Sequence, residues 1–342
     1  MFFVEKLDVL YASDRNYIDI MMTSVVSLIK NSNILNINVH IISSEFKKDD
    51  YDRIKSIISR YPNVLVDFYP LENYDIERYN IPSWHGLQVG NARLFFQDIL
   101  GNRINKIDTL LYLDGDTIVK GDLNGLENYS SNAISACKDN LRPSMAKKFG
   151  VDTYYNSGVL LINVNRWVNE HLQDKVLDEV YHPSSDLYLP DQNILNIALK
   201  DDIGELPISY NLMPLEYFFD EKDRIKYFNP KLRQRTAADV SKAIIDPKIY
   251  HCCCLAGIKP WIENDINPFN DEFLKYIYEV NPDFELYEAN TFRKIFDKHP
   301  DLLRKLLILR NYLPDEFNVL VTKMSIFFQG NRKRRSKKLV LF

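Results

Sequence analysis

The sequence predicts an α/β fold in which a mostly parallel sheet carries helices on both faces, followed by an α-helical C-terminal appendage. Three observations predict it. Short apolar runs alternate with amphipathic stretches from Asp8 to Tyr69, further apolar runs recur as far as His251, and strand-like runs stop after about Pro268.

The elements follow in order. Asp8 to Ala12 reads as a short apolar strand, and Tyr17 to Lys30 as a helix with Ile20, Val25, Leu28 and Ile29 inward. Val39 to Ser43 is a second strand, Lys47 to Arg60 an amphipathic helix on Tyr51, Ile54, Ile57 and Ile58, and Val64 to Tyr69 a third strand. Such β-α-β-α-β order favours a parallel sheet whose ligands bind beyond the carboxyl ends of the strands. Next come a helix from Ala92 to Leu100, strands at Thr109 to Leu113 and near Ala133 to Ala136, and the apolar run Gly158 to Val164. One helix is expected through Trp167 and Val176, another from Gln192 to Leu199, and a strand at Ile249 to His251. From Asn270 to Phe328 only helical patterns remain, at Phe292 to Lys298, Leu302 to Leu309 and Phe317 to Phe328. The expected division is an α/β domain over 1–268, a helical region over 269–330 and a tail over 331–342.

Composition bounds the function. The chain has 342 residues, 46% of them hydrophobic and 26% charged, which fits a folded globular protein rather than a disordered or fibrous one. A net charge of -4 argues against the broad basic surface of a nucleic-acid binder, so no nucleic-acid partner is expected. The exception is local: Asn331 to Lys338 holds six basic residues, and Leu339 to Phe342 are apolar. That tail reads as a solvated extension or as a peripheral attachment to an anionic membrane face. Met1 to Lys6 lacks the pattern of a secretory signal, and no apolar run approaches the roughly 18 residues of a membrane span, so a cytoplasmic protein is expected. Cys137 stands alone and Cys252, Cys253 and Cys254 are consecutive, a spacing suited to reduced thiols rather than to disulfides or a zinc site.

Chemistry concentrates in a few segments. Leu110 to Leu113 delivers Asp114-Gly115-Asp116 at a strand end, where two carboxylates can share a hard divalent cation that bridges nucleotide phosphates. A second such triplet, Asp50-Tyr51-Asp52, falls on the polar face of a helix and reads as a charge cluster. Ala12 to Tyr17 ends the first strand, where Asp14 either caps the following helix or meets a nucleoside. Arg93 lies in an apolar segment and demands a carboxylate or phosphate partner. Asn156-Ser157-Gly158 precedes an apolar run, Pro190-Asp191-Gln192 opens a helix that Asp191 can cap, and His251 stands eight residues before Lys259-Pro260-Trp261. A neutral imidazole can serve as a third metal ligand, and a lysine can neutralise a diphosphate.

Taken together, these separated motifs in this order resemble family 8 of the glycosyltransferases over about Asp8 to Trp261. The resemblance implies the GT-A fold, with a Rossmann-like nucleotide-binding half, and a retaining transfer of glucose or galactose from a UDP-sugar to a glycan, lipid-linked glycan or glycoprotein acceptor, giving an α-linkage. It implies that Ala12, Asp14, Asn16 and Tyr17 contact the uridine and that Arg93 lies by the donor sugar. By the same resemblance, Asp114, Asp116 and His251 hold Mn2+ or Mg2+, Lys259 with Gly257 meets the diphosphate, and Asp139, Asn156, Asp191 and Gln192 line the sugar pocket. Asp191 and Gln192 position the sugar and stabilise the developing cation.

Two departures from the family pattern stand out. Three cysteines follow His251, with the lysine two residues later than the family's usual spacing, and Asn193 replaces a further acidic residue. Asn193 is therefore left out of the site. The rival readings are a metal-dependent phosphohydrolase, which would recruit more carboxylates or histidines for a second metal, and a non-catalytic binding protein, in which the metal ligands would be degraded.

Overall fold

Strands buried on both faces read as continuous apolar runs, and those runs form the centre of the sheet. The structure, a computed structural model, describes residues 5–79, 81, 88–184, 189–253 and 255–314. The pattern at Phe317 to Phe328, the thiol of Cys254 and the tail from Asn331 to Phe342 lie outside those residues.

The first half comprises β1 (Lys6–Asp14), α1 (Ile18–Asn31), β2 (Asn36–Ser44), α2 (Lys48–Ile58), β3 (Val64–Pro70), α3 (Phe96–Leu100), β4 (Thr109–Leu113) and β5 (Thr117–Val119). It continues with β6 (Ile134–Lys138), α4 (Pro143–Lys148), β7 (Tyr155–Asn163), α5 (Val164–Asn169), α6 (Leu172–Tyr181), α7 (Pro190–Ala198) and β8 (Ile203–Glu205). Among the described residues the later elements are helices apart from β9 (Ile249–His251), which follows α8 (Pro214–Phe218), α9 (Glu221–Tyr227) and α10 (Ala237–Ile245). After it come α11 (Asn270–Val280), α12 (Thr291–Lys298) and α13 (Pro300–Arg310).

Among the described residues, seven strands form one sheet in the order β3-β2-β1-β4-β7-β6-β8. β1 pairs in parallel with β2 and with β4, β2 with β3, and β6 with β8, whereas β7 runs antiparallel to both β4 and β6. The chain winds outward from β1 through β2 to β3, then returns to lay β4 on the other side of β1. A crevice opens at that reversal, beyond the carboxyl ends of β1 and β4, where open α/β sheets bind ligands.

Side chains alternate across the sheet with period two. Val9, Tyr11, Leu111 and Leu161 join the core under α1, whereas Leu10, Leu110, Tyr112 and Leu160 join the core under Phe96, Trp167 and Val176. Phe273, Tyr276 and Ile277 of α11 belong to the same core as Met21 and Val25 of α1, so the helices after Pro268 share the interior of the sheet domain. Asn31 donates to the Tyr276 hydroxyl at 2.7 Å and fixes the seam.

Three expectations need correction. Gln88–Phe95 forms a 3-10 stretch, and only Phe96–Leu100 is α-helical, so Arg93 lies ahead of the helix rather than within it. Gly90 weakens helix formation there, and the segment is buried on nearly every side rather than along one stripe. The helix expected through Trp167 and Val176 is two helices, broken where His171 adopts a left-handed φ of 53°. Val164 begins α5 rather than ending the strand, because the Asn163 side chain caps that helix by accepting from the Arg166 amide.

Candidate active site

Each group at the crevice is placed by a separate element. At the end of β4 the chain turns sharply, with the Thr117 amide donating to the Asp114 carbonyl at 3.1 Å, and presents Asp114 and Asp116 to one side. Space at Gly115 is tight: a Cβ there would stand 3.2 Å from the Tyr17 ring, which would have to give by a few tenths of an ångström. β5 then pairs antiparallel with β9, setting Thr117 opposite His251, and the Cys252 amide donates to the Asp116 carbonyl at 2.8 Å. This pairing brings the imidazole to the carboxylates.

The three candidate ligands converge. One ligand atom from each of Asp114, Asp116 and His251 lies within 4.8 Å of the others. His251 Nε2 is 3.2 Å from Asp116 Oδ1 and 3.6 Å from Asp114 Oδ2. The outer oxygens are held from behind. Arg93 Nη2 donates to Asp114 Oδ1 at 2.7 Å and the Tyr112 hydroxyl donates to the same oxygen at 2.9 Å, while Lys259 Nζ reaches Asp116 Oδ2 at 2.8 Å. Supporting groups of this kind orient metal ligands. Two carboxylates and an imidazole suit a hard or borderline divalent cation and leave coordination positions for phosphate oxygens, so the residues present fit one.

Electrostatics agree with that use. Burial alone would push the Asp116 carboxyl up, but Lys259 and His251 beside it outweigh burial and hold it well below the usual carboxylate range. Burial would lower His251, yet Asp116 and Asp114 raise it above the ordinary histidine value. Lys259 is likewise raised, since Asp116 outweighs burial. Asp116 is thus ionised and Lys259 charged at neutral pH.

Arg93 has the partners its burial requires. Its Nε lies 3.2 Å from Asp191 Oδ2, its Nη1 donates to the Ser157 carbonyl at 2.8 Å, and its guanidinium stacks 4.5 Å over Tyr112. Burial opposes its charge, but Asp114, Tyr112 and Asp191 raise it above the ordinary arginine value. Asp191 also accepts from Ser157 Oγ at 3.0 Å. Gln192 Oε1 accepts from the Ser157 amide at 2.9 Å and from Asn156 Nδ2 at 3.2 Å, while its Nε2 donates to Asp139 Oδ2 at 3.3 Å. Asn156 Nδ2 donates to the same Asp139 oxygen at 2.9 Å. The amide of Gln192 is therefore fixed, with its oxygen committed to Ser157 and Asn156.

A cavity of about 330 Å³ joins these groups, and it is lined by Ala12, Asp14, Tyr17, Arg93, Asp114, Asp116, Asp139, Asn156, Asp191, Gln192, His251 and Lys259 among others. Two residues implied by the resemblance are absent from its wall. Asn16 is exposed and gives its backbone amide to Asp14 Oδ1 at 2.7 Å, so Asp14 caps the turn while also lining the cavity. Gly257, with a φ of 73°, sits in the turn between His251 and Lys259 and does not line the cavity. Asn193 is fully buried and accepts from the Tyr154 hydroxyl at 2.5 Å. Cys253 lines the cavity, whereas Cys137 and Cys252 are buried.

The second acidic triplet has a different place. Asp50 accepts from Arg15 Nε and from the Lys47 amide, both at 2.7 Å, on the surface of α2 and outside the cavity.

A family model described as "Glycosyl transferase family 8" matches residues 8–265, which span the crevice and every group just named. The chain belongs to glycosyl transferase family 8. Its relatives include the lipopolysaccharide 1,2-glucosyltransferase of Escherichia coli K12, 27% identical over 290 residues, covering 81% of this chain and 79% of that protein. Among solved structures, the galactosyltransferase LgtC in complex with donor and acceptor sugar analogues matches with a TM-score of 0.64 at 21% identity, over 80% of this chain and 96% of that one. A bifunctional glycosyltransferase, WbbM, matches with a TM-score of 0.62 at 20% identity over 82% of this chain, which spans 51% of that protein. This family 8 glycosyltransferase has the GT-A fold.

Sequence reasoning missed several contributors. Tyr112 and Ser157 were visible only as members of motifs, yet they hold Asp114, Asp191 and Gln192. Asn211, which contacts His251 Nδ1 at 3.0 Å, lies in no motif. Its preceding Tyr210 and the short turn at Ile208–Tyr210 carry no periodic signal.

Proposed function

We propose that this glycosyltransferase moves a hexose, glucose or galactose, from a UDP-sugar to a glycan acceptor that is lipid-linked or protein-linked, with retention and an α-linkage. The observation that carries the reading is the convergence of Asp114, Asp116 and His251 at the end of β4, inside a cavity large enough for a small ligand. In this reading they hold Mn2+ or Mg2+, which when bound stabilises the charge that forms on the β-phosphate as the sugar departs.

The charge inventory supports this reading. Asp14, Asp114, Asp116, Asp139 and Asp191 line the cavity against the fixed cations Arg93 and Lys259. A diphosphate entering such a surplus of carboxylates is repelled until a cation is in place. Lys259, held on Asp116, then faces the diphosphate with Gly257 supplying the turn behind it. Ala12, Asp14 and Tyr17 receive the uridine at the end of β1, and Asn16 secures the Asp14 carboxylate from the rim.

Around the sugar, Arg93 and Ser157 fix Asp191, and Asp139 and Asn156 fix Gln192. Gln192 turns its amide nitrogen toward Asp139 and its oxygen toward backbone and Asn156, an arrangement for holding the sugar rather than attacking it. We therefore favour departure of UDP and attack by the acceptor on the same face, with Asp191 and Gln192 positioning the sugar.

The test is UDP release from UDP-glucose and UDP-galactose with Mn2+ present. Release from at least one donor, lost on chelation and restored by Mn2+, is the expected result. Release that persists after chelation would overturn the metal assignment, and no release with any donor, alone or with glycan acceptors, would overturn the transfer reading.

The tail over 331–342 is read as a contact to an anionic membrane face at the cytoplasmic side, each basic residue contributing about 1 kcal/mol near the surface. Among the described residues no helix is long and apolar enough to cross a membrane. Removing residues 331–342 is expected to abolish binding to vesicles containing phosphatidylserine, and unchanged binding in a sedimentation assay would refute the role.

A further inference from the structure

We infer that Asn211 is a positioning residue that sets the tautomer of His251 and ties the metal ligands to the sugar pocket through a single amide. The inference rests on the metal reading of Asp114, Asp116 and His251 above.

Asn211 is completely buried, and its side chain has a neighbour at each end: Oδ1 lies 3.0 Å from His251 Nδ1, and Nδ2 donates to Asn156 Oδ1 at 2.8 Å. The polarity of this chain is fixed by two groups that cannot reverse. The backbone amide of Gly158 can only donate, and it points at Asn156 Oδ1 over 3.0 Å. The Asp139 carboxylate accepts from Asn156 Nδ2 at 2.9 Å. Asn156 must then present its oxygen to Asn211, and Asn211 must present its NH2 in return. That leaves the Asn211 oxygen facing the imidazole, so His251 Nδ1 carries a hydrogen, and in the neutral ring the lone pair falls on Nε2, the nitrogen that faces Asp114 and Asp116.

The backbone beneath Asn211 is held as well. Arg235 Nη1 donates to the Asn211 carbonyl at 3.0 Å, and Arg235 is itself ion-paired with Glu216, both side chains being fully buried. The His251 amide donates to the Leu212 carbonyl at 2.7 Å, so the segment that carries Asn211 and the strand that carries His251 move together.

Substitution separates the two ends of the amide. Asn211→Leu removes both contacts and frees the imidazole to rotate or change tautomer. Asn211→Asp keeps an acceptor for His251 Nδ1 but sets a carboxylate oxygen against Asn156 Oδ1. A residue that served packing alone would lose both properties together in both variants.

The experiment is calorimetric titration of Mn2+ into the full-length wild type and both variants without donor, with thermal melts to verify folding and UDP-release kinetics in parallel. Asn211→Leu is expected to weaken Mn2+ by about 10- to 100-fold, as loss of a group orienting a ligand does, whereas Asn211→Asp stays within about threefold of wild type for Mn2+ while donor turnover falls by at least about tenfold. A folded Asn211→Leu with wild-type Mn2+ affinity would overturn the inference, as would an Asn211→Asp that loses Mn2+ as fully as Asn211→Leu. Should Asn211→Leu not fold, 15N NMR of the His251 ring in Mg2+-saturated wild-type protein decides: hydrogen on Nδ1 supports the inference and hydrogen on Nε2 defeats it. Wild-type protein that binds no Mn2+ at all defeats the metal reading instead, an outcome distinct from either variant result.

Discussion

Asp116→Ala is expected to lower UDP-sugar turnover by about 100-fold or more, the scale of losing a preorganised electrostatic group. The side chain has two tasks, with Oδ2 holding Lys259 at 2.8 Å and Oδ1 facing His251 at 3.2 Å. Alanine ends both. It leaves the Asp116 carbonyl in place to accept from the Cys252 amide, so the pairing of β5 with β9 persists and the loss is one of charge rather than of fold. Asp116→Asn separates these contributions further: an amide oxygen can still accept from Lys259, but the charge is gone. If charge is what matters, the asparagine variant is nearly as impaired as the alanine one. Steady-state UDP release, read beside a thermal melt, checks both, and a folded Asp116→Ala with near-normal turnover would remove the assignment.

Gly158→Ala is expected to be almost as damaging although it adds only a methyl group. A Cβ on residue 158 would collide with His251 Cε1 and stand 2.7 Å from Asp114 Oδ2 and 2.9 Å from His251 Nδ1. Two of the three candidate ligands would have to move. The backbone cannot retreat, since β7 is locked to β4 through Val159 opposite Leu113 and the Gly158 carbonyl accepts from the Asp114 amide at 2.8 Å. Displacing ligands by even an ångström predicts a loss of about 100-fold in turnover and at least about tenfold in Mn2+ affinity. Calorimetry with Mn2+ on the folded variant is the measurement, and wild-type affinity would show that the strand can yield.

What was legible in the sequence is what depends on neighbours along the chain. An apolar run followed by Asp114-Gly115-Asp116 announces a strand delivering carboxylates, and the burial of Arg93 in an apolar segment announces that it has anionic partners. The identities of those partners, Asp114 and Asp191, depend on β4 and α7 meeting the 3-10 stretch in space, and no local pattern encodes that. Asn211 was illegible for the same reason: its importance comes from the hydrogen atoms of Gly158 and His251, which are remote from it in sequence. Other misses had signals that went unread. Asp220 and Thr236 cap α9 and α10 by accepting from the amides of Asp223 and Asp239, an ordinary capping arrangement that the sequence displays.

The pairing of β5 with β9 also bears on how the enzyme is born. Lys259 closes on Asp116 across 143 residues of chain, and closures of that span are late events in folding. During synthesis the crevice of β1 and β4 emerges long before His251 and Lys259. On the proposed reading, a chain released before Lys259 is made would offer Ala12, Asp14 and Tyr17 to a nucleoside while lacking the imidazole and the lysine that meet Asp116, and so would bind donor without spending it.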